Sequence, residues 1–183
     1  MMKKRSAHRR PDGSGVAKGF TLIEILVALI VLSFGVLGVA GLQLITYQNL
    51  QSSLNYGTAA MLANEIADRM IVNSAQVLAD SYDHSGAPNS VTNCATETCN
   101  ASQMATYDID QWQTAVTGVG LLGDDVKMPG SLPSPSGAVA RVGTTDNFTI
   151  TLRWDDDSSG STGTNCPPTT ASDLDCYQIT LGF

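Results

Sequence analysis

The chain has little with which to do chemistry. Its 183 residues include two histidines, His8 and His84, and no Gly-x-Ser-x-Gly, P-loop or His-Glu-x-x-His pattern. That removes the common nucleophilic, phosphate-binding and zinc-protease arrangements. Carboxylates are plentiful, but none is set apart as an acid and base pair, so no catalytic residue, no cofactor and no enzyme are expected. Basic residues are scarce where a nucleic-acid surface would need them. From residue 20 onward Arg69, Lys127, Arg141 and Arg153 stand against sixteen acidic side chains. Nucleic-acid binding needs a basic stripe that displaces counterions, so DNA and RNA are not expected partners. No cysteine precedes Cys94, which excludes a lipoprotein signal.

Charge is also missing from residues 25–42, and the whole apolar run 20–42 is 23 residues long, about 34 Å as a helix at ~1.5 Å per residue. That length spans a bilayer. Ahead of it lie Lys3, Lys4, Arg5, Arg9, Arg10 and Lys18, six of the ten basic residues. Lys and Arg stay on the cytoplasmic side, so the predicted topology is a single pass through the cytoplasmic (inner) membrane with everything after residue 43 on its outer side. A cleavable secretory signal would carry a shorter apolar core and a small-x-small site, for which "VAG" at 39–41 is a weak candidate.

Glu24 is the residue that a plain anchor does not explain. A charge at the bilayer centre costs roughly 2.5–3.5 kcal/mol. Glu24 lies nearer the interface and near a helix N-terminus that favours an anion, so its cost is smaller. No cation follows it for forty residues. Its partner must come from elsewhere.

The stretch "KGFTLIE", Gly19 then Phe20 with glutamate at the fifth place from Phe20, resembles the type III signal of the type IV pilin superfamily. The resemblance implies that a prepilin peptidase cuts between Gly19 and Phe20, that the new amine of Phe20 is methylated, and that Glu24 pairs with the amine of a neighbouring subunit. Within the superfamily, "SFGVLGVAGLQ", "AAMLANEIADRMIVN", "DIDQW", "ITLRW" and "YQITL" resemble in order the blocks of the minor-pilin family of type IV pilus modification proteins. The partners this implies are other minor pilins, the major pilin and a large tip adhesin, with final placement in the extracellular pilus. Two rivals share part of the pattern. A type II secretion pseudopilin has the same signal and glutamate, and a membrane-anchored binding or enzymatic module would keep residues 1–19. The implied organisation is a cleaved leader (1–19), a transmembrane and assembly segment (20–43) and a periplasmic head (44–183).

Gly35, Gly38 and Gly41 recur at every third residue. Two readings stay open: close helix packing with local loosening, or ordinary glycine in a membrane helix. No proline accompanies Gly41.

From residue 43 to about residue 77 the pattern predicts a continuing amphipathic helix, with Leu54, Met61, Leu62, Ile66, Met70 and Val77 on one stripe and Glu65 placed to pair with Arg69. Residues 80–103 read as loop, 104–116 as a short helix with Trp112 and Val116 on one face, and 128–137 as a Pro/Gly-rich break. Strand candidates follow at 138–142, 147–154 and 177–183, the last two alternating apolar and polar. The fold class expected is α+β, a pilin-like ladle in which a long N-terminal helix packs on a small antiparallel sheet.

Cys94, Cys99, Cys166 and Cys176 all fall in the exported part, where disulfides persist. Pairing of Cys94 with Cys99 and of Cys166 with Cys176 joins sequence neighbours across polar loops. Zinc is disfavoured because these spacings match no common finger. "DDDSSGSTGTNC" (155–166) imitates the start of a calcium loop with Asp155, Asp157, Ser159 and Gly160, but places Cys166 where a bidentate glutamate belongs. A solvated acidic turn is favoured, so no metal site is expected.

Overall fold

In the computed structural model, residues 19–118 and 132–183 are described, and the chain divides into one unit ending at Thr46 and a second, Tyr47–Phe183. The leader apart from Gly19, Lys127 and the start of the Pro/Gly-rich break lie outside the described residues. Helix α1, Leu22–Val72, runs through both units.

In the first unit every described side chain is exposed. The segment is long and apolar enough to cross a membrane. Two of its hydroxyls turn inward on the backbone: Ser33 and Thr46 donate to the carbonyls of Leu29 and Leu42 at 2.7 and 2.9 Å. Polar groups satisfied within the helix suit a solvent without water.

In the second unit α1 buries Asn55, Ala59, Leu62, Ala63, Ile66, Ala67 and Met70. Leu54 and Met61, expected on this stripe, are instead 57 % and 75 % exposed. The buried face is built on alanines, which let a neighbour approach the helix backbone. Trp112 uses that approach, its indole N–H donating to the carbonyl of Leu62 at 2.8 Å. The helix also stops earlier than expected, at Val72. Asn73 leaves helical geometry at φ −112° and ψ 39°, and its side-chain amide donates to the carbonyl of Ala101 at 2.9 Å. A five-residue helix, α2 (Ser74–Leu78), follows and buries Val77.

Helix α3, Ala101–Thr117, begins three residues before the expected start. Asn100 caps it: its side chain accepts from Gln103 N, and the Gln103 side chain returns to Asn100 N. Gly118 ends it in the left-handed region at φ 75°. Trp112 and Val116 are fully buried on its inner face.

The antiparallel sheet has the order β1-β2-β3-β4, with β1 His84–Ser85, β2 Ser136–Arg141, β3 Asn147–Trp154 and β4 Asp175–Gly182. Strand β1 lies inside the stretch read as loop. Strand β2 is shifted two residues earlier than the 138–142 candidate because Ser136 and Gly137 pair with Arg153 and Leu152. Gly137 is required there, since a Cβ would stand 2.7 Å from the Trp112 ring. Phe148, Ile150, Leu152 and Trp154 of β3 are fully buried, while Tyr177, Ile179, Leu181 and Phe183 are only partly covered. The arrangement is α+β as expected, a long apolar helix packed on a four-stranded sheet.

Candidate functional site: the start of the apolar helix

Gly19 and Phe20 precede the first turn of α1, and both are exposed. Thr21 begins the helix. Its hydroxyl accepts from the Glu24 backbone N–H at 3.3 Å, and its carbonyl accepts from Glu24 and Ile25 at 3.1 and 3.3 Å. Threonine at a helix start with glutamate three residues later is the spacing of a capping box, so one task of Thr21 and Glu24 is to open the helix. Glu24 in the first turn also faces the positive end of the helix dipole. Among the described residues no cation or donor meets the Glu24 carboxylate, and beyond it the helix carries no charge until Glu65. Chemically, the site offers one carboxylate at the edge of an apolar surface, suited to a cation brought by another molecule.

The cysteines sit in the second unit. Cys94 is bonded to Cys99, with Cα atoms 5.5 Å apart, and Cys166 to Cys176, at 5.8 Å. The first disulfide closes the turn before α3 and the second closes the long connection from β3 to β4. Within that connection, Asp155 accepts from the backbone of Ser159 and Gly160 and from the Ser159 hydroxyl. The carboxylate resembling a calcium ligand thus closes its own turn. Among the described residues no group of three His, Cys, Asp or Glu side chains is placed to hold a metal.

Sequence reasoning missed a polar hub. Asp108, on α3, accepts from the Arg69 guanidinium at 3.1 Å and from the buried Tyr82 hydroxyl at 2.7 Å. Glu65 completes the cluster at 2.8 Å from Arg69, the pairing its spacing predicted. Burial, and then the Asp108 carboxylate, push the Tyr82 phenol above its ordinary range. The hub ties together α1, the turn after α2 and α3. The signal was Asp108 in "DIDQW", four residues and so one helical turn before the core Trp112.

These features define a class: a chain with a prepilin-type start, an N-terminal helix long and apolar enough to cross a membrane, and a pilin-like α+β arrangement. The prokaryotic N-terminal methylation motif matches residues 16–40, the segment that holds Gly19, Phe20 and Glu24. The motif supports the type IV pilin and pseudopilin superfamily, implies processing by a prepilin peptidase and assembly with other pilins, and with the fold suggests a structural role. No curated protein matches the chain, and no solved structure does.

Proposed function

We propose that the protein is a minor pilin of the type IV pilus modification (PilV) kind, which helps to initiate pilus assembly within the tip complex. The observation that carries this reading is the methylation motif over residues 16–40, with Glu24 isolated at the head of a stretch, residues 25–64, that carries no charge. Residues 1–19 are the cleaved leader, 20–43 the membrane and assembly segment, and 44–183 the periplasmic head. Removal of the leader leaves the methylated amine of Phe20 in the apolar layer, where a lone charge is costly. A neighbouring subunit's Glu24 neutralises it, and each charge offsets the desolvation of the other. The subtype rests on the order of the head blocks, from "AAMLANEIADRMIVN" to "YQITL".

The test compares the native chain with Glu24→Ala. Intact mass should begin at methylated Phe20 in both, and recovery of the variant in sheared pili should fall about tenfold, the effect of ~1.4 kcal/mol. Undiminished recovery would sink the charge pairing. A mass retaining residues 1–19 would return the protein to the anchored-module class, and recovery with a secretion pseudopilus would make it a pseudopilin.

A further inference from the structure

The two edges of the sheet are handled differently. One is closed by β1, only two residues long, and the strand behind it ends in Arg141, whose guanidinium bonds Asp80, Asp146 and the carbonyl of Leu78. Short strands and charged ends are how proteins keep an edge from pairing with strangers. The other edge is β4, which is eight residues long. It contains no lysine, arginine or proline, and it pairs with β3 without a bulge from Asn147↔Gly182 to Trp154↔Asp175. Beyond Cys176, which is buried and tied by its disulfide to the 155–174 connection, none of the usual protections is found among the described residues.

The ladder fixes what this edge offers. Phe183 N donates to the Asp146 carbonyl at 3.0 Å, in phase with the β3–β4 register. Bonded pairs alternate along an antiparallel ladder, so Tyr177, Ile179 and Leu181 spend their backbone groups on β3. The N–H and C=O groups of Cys176, Gln178, Thr180 and Gly182 therefore point outward, and no hydrogen bond to them is found among the described residues. Side chains alternate in the same way. Tyr177, Ile179, Leu181 and Phe183 lean on the core but remain partly uncovered, whereas Gln178 and Thr180 lie on the polar face, bonded to Thr151 and Thr149.

We propose that the β4 edge is a strand-addition site for an extended segment of another protein. The segment alternates apolar residues, which finish covering Ile179 and Leu181, with polar residues beside Gln178 and Thr180. Charge chooses the partner. Asp156 and Asp157 lie just after β3 and act electrostatically on Asp175, which opens β4, so carboxylates gather at one end of the edge, and the added segment carries basic residues there. A second copy of this chain is the poorer occupant, because its Tyr47–Phe183 unit has fifteen acids against four basic residues and repels itself. This inference goes beyond the pilin reading and concerns the head alone.

The test uses the full chain in detergent micelles and a synthetic peptide of alternating valine and threonine ending in two lysines. Antiparallel addition is the more stable mode and brings those lysines to Asp175. Amide exchange at Gln178, Thr180 and Gly182, fast in the free chain, should slow by about tenfold or more with the peptide. A peptide methylated on alternate backbone nitrogens should give no protection, and replacing the lysines by glutamates should weaken binding. Gln178→Pro removes an outward N–H that the ladder does not use, so binding should be lost while Tyr177, Ile179 and Leu181 amides stay protected. The inference is overturned if the native peptide gives no protection, if the methylated peptide protects equally, or if protection without peptide rises with the chain's own concentration, which would make the occupant a second copy. Failure of Glu24→Ala to alter pilus recovery leaves this test untouched.

Discussion

Residues 19–46 and the Tyr47–Phe183 unit treat apolar side chains in opposite ways. In the first, large residues such as Leu22, Val31 and Leu37 are all exposed and the hydroxyls of Ser33 and Thr46 turn inward on the backbone. In the second, Trp112, Trp154, Tyr82 and Phe148 are fully buried, and a polar hub sits among them. The difference teaches that one stretch is built for a solvent of hydrocarbon or neighbouring helices, while the other carries its own core in water. Each should therefore fail to a change that the other tolerates.

The largest effect is expected at Trp112. Its loss empties the space between α1, α3 and Gly137 and frees the Leu62 carbonyl, so Trp112→Ala should destabilise the head by about 3–5 kcal/mol. Urea unfolding followed by near-ultraviolet circular dichroism measures this, and membrane insertion should not change. A variant that folds normally but fails to insert would break the contrast between the units. The converse is Val31→Arg. A charge in the apolar helix costs roughly 2.5–3.5 kcal/mol of insertion, so the chain should shift from the membrane to the soluble fraction. The urea midpoint of its head should stay at the native value. Next comes the hub. Asp108→Ala leaves the Tyr82 hydroxyl buried without its acceptor and should cost about 1–3 kcal/mol. Tyr82→Phe removes the stranded group, and combining it with Asp108→Ala should recover part of the loss; strict additivity would show that the two do not act as a pair.

How much of this was legible depends on the scale of the signal. The apolar run, the isolated Glu24 and the alternation in β3 and β4 are patterns many residues long, and each appears where the sequence puts it. The buried face of α1 was misjudged because Ala59, Ala63 and Ala67 decide it, and alanine carries a weak hydrophobic signal. Larger Leu54 and Met61 look more like core residues but point away. The early start of α3 was readable, since Asn100 and Gln103 have capping-box spacing. The break at Asn73 was not, because it depends on the Ala101 carbonyl, twenty-eight residues on. Strand β1 has two residues and no periodicity at all. At the start of α1, Thr21 and Glu24 are readable as a local cap, whereas the cation proposed to pair with Glu24 would come from another subunit and leaves no trace in this chain.

The smallest expected effect lies within the second unit, in two aspartates of the disulfide-closed β3–β4 region that are tuned in opposite directions. Burial, and then the negative charge of Asp156, raise the Asp175 carboxyl above its ordinary value of 3.8. Its contribution to stability is therefore full below that value and is lost as pH rises through the raised one. Asp173 is the reverse. The backbone N–H of Thr169 and the side-chain amide of Asn165 hold it well below the ordinary range, so its contribution is present above 3.8 and is lost as pH falls. Asp175→Asn should accordingly raise the urea midpoint at pH 7 and make no difference at pH 3, whereas Asp173→Asn should lower it at pH 7 and approach the native value in acid. Both side chains keep contact with solvent, which keeps the changes in the urea midpoint small. Shifts of the same sign at neutral pH would mean that local packing outweighs charge here, and would remove the reason to expect a basic segment at this end of β4.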